Sequence, residues 1–415
     1  MRYCFLSLFL LISVLGIGQT TWDSLGALPI VLPVKTISPY DSLDRFEDLA
    51  FLKEVLKDKR VVMLGESMHG VEDFNEAKTR IIKFLHQEMD FEVVAFESEL
   101  SHCEWANRHK QQWSAKDLLK HSIFRIWNTP ACLELMKYIQ RNEDLVLTGF
   151  DMQPEFDHDS LAVLYQFFKP VHLAVAQKIL NAEKEFVAYY KNYPDRTKLI
   201  KTYQKCLKKL QGSKKISSKY STSYIQLVQH ILSYRIETIE RFLRYENPMD
   251  MGGGLTRDSM MAENVDWLLK ERYPDKKIIV WAHNAHIGKN ITYPEYGRMG
   301  HFIQQKWAKE SYVMAFCYAT GKVCHLPEYT YENTSKSING NSIQYMIYKT
   351  GEDLGFINIQ SQLDNKWLNT NLYNIFESRD WFNDRTKMRL VDNYDGIFMC
   401  REARCPTYFE GTLMD

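Results

Sequence analysis

Four stretches of the chain are apolar on both faces and stop at an ionisable residue. Residues 61–64 run into Gly65-Glu66-Ser67-Met68-His69-Gly70, 91–96 end in Glu97-Ser98-Glu99, 145–150 end in Asp151, and 278–282 end in His283-Asn284-Ala285-His286. Short apolar runs without alternation suit parallel strands covered by helices on both sides. In open α/β sheets the carboxyl edge of such strands is where ligands bind, so four runs ending in chemistry point to one shared cleft. After the first run, Phe74, Lys78, Ile81 and Leu85 recur at helical spacing. Lys78 therefore falls on the buried face of its own helix, where a cation needs an acidic partner or a cavity.

The remaining pattern fills in the layers. Behind a linker with Pro29, Pro33 and Pro39, residues 42–57 read as a short amphipathic helix. Residues 172–190 are apolar-periodic, and Ile225, Val228, Leu232, Ile236, Ile239 and Leu243 mark a second long helix. The basic stretch 205–219 between them reads as a solvated helix end and loop. Gly252-Gly253-Gly254 reads as a hinge or an anion-binding nest, and Thr256 as the N-cap of a helix through Met261, Val265 and Leu268. Further strands are expected at 312–318, 355–359 and 396–400. The predicted architecture is α/β: a central, mostly parallel sheet flanked by helices, with a large helical insertion over the active-site edge. Residues 20–157 and 250–415 would form the α/β catalytic domain and 158–249 the insertion, acting as a lid, a substrate wall or an ordinary outer layer.

Composition narrows the function classes. At 415 residues, 45% hydrophobic and 13% aromatic, the chain can build a large core. Lys+Arg and Asp+Glu are both 52, so no basic excess recruits nucleic acid or an anionic membrane. The start differs from the rest: Met1-Arg2, an apolar run at 5–17, then Gly18-Gln19-Thr20. That is the build of a secretory signal over residues 1–19, implying a periplasmic or extracellular protein with no stable membrane insertion after cleavage; the alternative is an uncleaved anchor. Cys103, Cys132, Cys206, Cys317, Cys324, Cys400 and Cys405 remain in the mature chain, an odd number without a C-x-x-C pair. One bridge, such as Cys317–Cys324 or Cys400–Cys405, is compatible with that spacing, but spacing does not settle pairing.

The candidate chemistry lies on the loops that end the four runs. Glu66 and His69 form an acid–imidazole pair in which the acid can orient the ring and raise its basicity. Glu97 supplies a second carboxylate, and His283 and His286 lie one helical turn apart. Such a set activates water or binds a divalent metal with equal ease. The H-N-A-H spacing is not the H-E-x-x-H of zinc proteases, and no serine sits in a G-x-S-x-G elbow.

These residues also carry a resemblance. Gly65-Glu66-Ser67-Met68-His69-Gly70 with Asp73-Phe74, Lys78, Phe91 and Glu97, then Gly149-Phe150-Asp151, 257–264 beginning Arg257-Asp258, and Trp281–His286 resemble the erythromycin esterase family in order and spacing, from about residue 40 to the end. The resemblance implies an α/β fold with a helical insertion and an ester hydrolase that needs no cofactor. It gives His69 the general-base role with Glu66 orienting it, and places Glu97, His283 and His286 around the carbonyl and leaving group. Lys78, which replaces the family's usual Arg, Asp151 and Arg257 would bind substrate, a small-molecule ester or lactone. Two other readings remain: a metallohydrolase with His69, Glu97 and His283 as ligands, and an exported, non-catalytic ligand-binding protein. Oligomeric state is not legible.

Overall fold

The computed structural model describes residues 25–153, 162–188, 195–244, 251–290, 297–324, 330–333, 338, 340, 342–373 and 387–409. The expected signal at 1–19 lies outside the described residues, as do the expected insertion boundaries near 158 and 249.

Among the described residues nine strands make one sheet: β1 (Leu32–Pro33), β2 (Val61–Leu64), β3 (Phe91–Glu99), β4 (Val146–Asp151), β5 (Lys277–Trp281), β6 (Ser311–Cys324), β7 (Thr330–Asn333), β8 (Leu354–Asn358) and β9 (Gly396–Ala403). Their order is β1-β8-β9-β6-β2-β5-β3-β4, with β7 paired to β6. From β9 to β4 every pairing is parallel, whereas β8 and β1 add antiparallel. The expected fold class holds, with a parallel centre and an antiparallel flank. The four strands whose ends carried the candidate chemistry are neighbours, because β5 inserts between β2 and β3. Leu64 pairs with Trp281, Trp281 with Phe96, and Phe96 with Gly149, so one row crosses all four strands. Glu66, His283, Glu97 and Asp151 emerge just beyond that row.

Both faces of the sheet are buried, which explains the absence of alternation. On one face Val62, Leu64, Val94 and Phe96 pack against the helices Glu72–Met89 and Pro130–Arg141. On the other, Val61, Met63, Val93 and Val280 meet Met261, Val265, Leu268 and helices of the C-terminal half. Residues 162–188 and 195–243 form helices around a third apolar cluster that includes Phe167, Ile179, Tyr203, Leu227 and Ile231 and reaches Leu100 and Met152 beside the sheet.

Several expected local elements differ. Residues 42–57 are not one helix: Phe46 takes a left-handed conformation, Asp44 caps its amide at 2.8 Å, and only the turn Glu47–Leu49 and helix Leu52–Val55 form. Asp44 and Asp48 instead receive the buried Arg80. The basic stretch 205–219 is helical throughout most of its length, as the end of Arg196–Gly212 and as Lys214–Lys219, because Cys206, Leu210 and Ile216 face the third cluster while the lysines point outward. The triple glycine is neither hinge nor nest. It lies inside the helix Met251–Trp267, where Thr256 is an interior residue whose hydroxyl donates to the Gly252 carbonyl at 3.0 Å. The disulfide joins Cys324 to Cys405, one cysteine from each expected pair; the other described cysteines are buried thiols. The strand ends decide this pairing, since β6 and β9 run side by side and deliver the two cysteines together.

The helical cover is tied to the sheet by a buried arginine. Arg235 Nη1 donates to Glu99 Oε1 at 2.9 Å and Arg235 Nη2 approaches Glu183 Oε2 at 3.3 Å; Tyr203 also donates to Glu183 at 2.5 Å. Removing the cation strands two buried carboxylates. Arg235→Ala is therefore expected to cost about 3–5 kcal/mol of stability, read as a lowered urea midpoint; an unchanged midpoint would mean that the carboxylates find other partners.

Candidate active site

The loop after β2 sets the first pair. Gly65 is required by space, since a Cβ there would lie 1.9 Å from Asn284 Oδ1. Asn284 itself brackets the Phe316 backbone, donating to its carbonyl at 3.0 Å and accepting from its amide at 3.2 Å. The loops that carry Glu66 and His283 are thereby locked to the same strand. Glu66 is buried, and each of its oxygens has a defined task. Oε1 lies 2.5 Å from His69 Nδ1 and accepts from the Trp127 indole at 3.2 Å, while Oε2 accepts from Lys78 Nζ at 2.6 Å. Burial alone would raise the Glu66 carboxyl, but the Lys78 ammonium and His69 outweigh it and hold it down to about 2. Lys78 is fully buried above the Trp281 ring at 4.4 Å. Burial pushes its ammonium down and Glu66 opposes this.

A carboxylate on Nδ1 makes that nitrogen the proton-bearing one and leaves Nε2 of His69 as the basic atom. The His69 side chain is 23% exposed, whereas Glu66 and Lys78 are sealed behind it. The pair thus presents an imidazole at the surface of the cleft with a buried carboxylate–ammonium pair beneath it.

The His283 ring sits 5.1 Å from that of His69, centroid to centroid. Its Nδ1 accepts from the Ala285 amide at 3.1 Å, capping the short helix Asn284–Ile287. The neutral ring therefore carries its proton on Nε2. Burial, and then the neighbouring His69 and His286, push its pKa down to about 3. His283 is a neutral hydrogen-bond donor, not a base. Glu97 Oε2 fixes it by accepting from the His283 backbone amide at 2.8 Å.

The other Glu97 oxygen belongs to a buried ionic cluster. Oε1 lies 2.8 Å from Arg257 Nη2 and 3.2 Å from His286 Nε2. Arg257 also pairs with Asp151 at 2.5 Å. The Asp151 carboxylate takes the Met152 amide at 2.6 Å as well. His286 Nδ1 meets Asp258 at 2.7 Å, and Asp258 further accepts from Arg298 at 3.2 Å and the Met299 amide at 3.0 Å. Burial would lower the His286 ring, but Glu97 and Asp258 together raise it to about 9. Protonated, it is a fixed cation between two carboxylates. Arg257 Nη1 at 3.2 Å is then a like-charge contact, offset by Glu97, Asp151 and Asp258 around it.

Every sequence-predicted site residue thus joins one connected assembly: Glu66, His69 and Lys78 on one side, and Glu97, Asp151, Arg257, His283 and His286 on the other. Lys78 and Asp151 have no exposed surface; each is held by a buried ion pair, Lys78 with Glu66 and Asp151 with Arg257. Among the described residues no three His, Cys, Asp or Glu side chains converge on a point where they would hold a metal ion. Glu97, one expected ligand, already spends one oxygen on Arg257 and the other on a backbone amide. Trp127 and Asp258 join the site without being among the residues the sequence points to. Asp258 stands inside a quoted motif, whereas Trp127, on a single turn at Arg125–Trp127, has no periodicity to betray it.

The erythromycin esterase family model matches residues 86–403. A putative hydrolase of Bacillus subtilis, YbfO, is 28% identical over 386 residues, covering 85% of each chain. A crystal structure of a Bacillus cereus protein superposes with a TM-score of 0.75 at 19% identity, covering 94% of this chain and 98% of that one. A mutant of the erythromycin esterase EreC in its open conformation gives 0.65 at 16% identity, covering 91% and 99%.

The His286 cluster makes a pH prediction. Its folded pKa of about 9 lies above the ordinary 6.5, so its stabilisation is complete below 6.5 and is lost as pH rises through 9. Urea midpoints at pH 6 and pH 10 should differ less in His286→Gln than in the wild type, by up to about 3 kcal/mol; equal differences would disprove the raised pKa. By the match of its family model over most of its length, and by the fold it shares with an erythromycin esterase, the chain belongs to the erythromycin esterase family and is a hydrolase of that family.

Proposed function

We propose that the protein hydrolyses a carboxylic ester or lactone with water activated by His69. The observation that carries this reading is the 2.5 Å contact of His69 Nδ1 with a carboxylate whose other oxygen is neutralised by Lys78. Nε2 is left to take a proton from water, and the Glu66 charge stabilises the imidazolium that results. The water oxygen attacks the carbonyl carbon. His283, held neutral with its proton on Nε2, donates to the carbonyl oxygen as negative charge develops there. The proton held by His69 then passes to the departing alkoxide. Glu97 supports His283 through its backbone amide, and His286 and Arg257 fix Glu97.

Macrolactone substrates are suggested by the name of the EreC relative; the ester chemistry extends equally to simpler acyl groups. The leader at 1–19 would export the protein, and the Cys324–Cys405 bridge suits the oxidising compartment that export implies.

The test is hydrolysis of a panel of simple esters and macrolactones by the mature protein, with and without chelator. His69→Ala should lower kcat/KM by about 10⁴ and Glu66→Gln by about 10²–10⁴, while His283→Ala should cost about 10²–10³, mostly in kcat. Chelator should leave the rate unchanged. Loss on chelation would move the same residues to a metal, and full activity of His69→Ala would remove the base assignment.

A further inference from the structure

The chain that follows β9 returns across the back of the His69 loop. Cys405, just beyond β9, is bridged to Cys324 at the end of β6. The Cys324 amide in turn donates to the Gly70 carbonyl at 2.9 Å, directly after His69. Arg404 grips the first turn of the Glu72–Met89 helix from three sides. Its carbonyl accepts from the Glu72 amide at 2.8 Å, its own amide donates to Asp73 Oδ2 at 2.7 Å, and its guanidinium reaches Asp73 at 2.9 Å and Glu76 at 2.7 Å. The strap then ties back on itself, the Tyr408 hydroxyl donating to the Cys324 carbonyl at 2.7 Å. It ends on the second support of the site, where the Phe409 amide donates to the Asn128 carbonyl at 3.2 Å, next to the Trp127 that donates to Glu66.

The loop at 65–71 is thus pinned downstream at Gly70 by Cys324, and the helix that follows it by Arg404, both from the distant C-terminal part of the chain. Gly70, in the left-handed region at φ 75°, is the residue at which the loop turns into the helix. Without an external hold its position would be set by the loop alone.

We propose that residues 404–409, latched by Cys324–Cys405, are a positioning strap for the catalytic base: they fix the His69–Gly70 turn and the Trp127 turn in mutual register, so that Glu66 meets His69 and Trp127 together. Arg404 is the positioning residue and the disulfide is the anchor. The statement that the held group is a base rests on the functional reading above, whereas the mechanical hold does not.

Hydrogen exchange by mass spectrometry on the full-length protein separates the two. In the double variant C324S/C405S, and independently in Arg404→Gln with the bridge intact, peptides covering 65–72 and 124–129 should exchange faster by about tenfold or more. Peptides from β3 and β5 should be unchanged. Faster exchange confined to 400–409, or a rise across the whole sheet, would overturn the strap. With an ester substrate, both variants should lose kcat by about tenfold or more with KM within about twofold, and Arg404→Lys should recover part of the loss. Loosened loops with unchanged kcat would refute positioning of the base. If the wild type hydrolyses no ester while the exchange pattern appears as stated, the strap stands and the base assignment falls.

Discussion

A carboxylate buried at the end of a strand must have a cation buried beside it, and the carboxyl edge of this sheet is built on that constraint. Glu66 has Lys78, Glu97 and Asp151 share Arg257, Glu99 has Arg235, and Asp258 has His286 and Arg298. An unpaired charge at any of these depths would cost several kcal/mol. Each cation comes from a different element: Lys78 from the helix after β2, Arg235 from the helical cover, Arg257 from the helix before β5. Charge neutralisation at the edge is therefore also what registers these helices on the sheet. Desolvation cancels much of the Coulombic gain, so the pairs act chiefly to define one arrangement among many that apolar packing alone would tolerate.

Within that arrangement three histidines of the same type acquire three chemistries from their surroundings. One ring nitrogen of His69 faces a carboxylate and the side chain remains partly open, the arrangement on which its proposed role as base rests. His283 spends Nδ1 on its own helix amide and has two imidazoles for neighbours, which gives a neutral donor. His286 is closed between Glu97 and Asp258, which hold it protonated at neutral pH. The discrimination needs no difference in solvent depth between the last two. It follows from which atoms face each ring, a backbone amide in one case and two carboxylates in the other.

The sequence exposed the strands and their chemistry but not their order. Runs such as 61–64 and 278–282 are recognisable because burial on both faces removes alternation, and their terminal residues lie together at one sheet edge. That β5 inserts between β2 and β3 is a long-range choice with no local mark, although it is what brings His283 to His69. Local rules failed where tertiary contacts outweighed them. Three glycines would end an isolated helix, yet 251–267 is helical because Met261, Val265 and Arg257 anchor it to the sheet. Residues 42–57 have an amphipathic period, yet Asp44 and Asp48 are committed to Arg80 and the chain turns at Phe46. The Cys324–Cys405 bridge likewise depended on two strands becoming neighbours.

Lys78 shows how little room there is for substitution beneath His69 and Glu66. Glu66 serves three donors through two oxygens: Lys78 takes one, and His69 and Trp127 share the other. An ammonium is a compact point charge that approaches a single oxygen end-on and fits under the face of Trp281. A guanidinium favours a forked contact with both oxygens, and in this pocket that fork would compete with His69 for Oε1. The lysine in this chain is therefore a geometric solution as well as a counter-charge: it neutralises Glu66 while leaving the oxygen that orients His69 available to it.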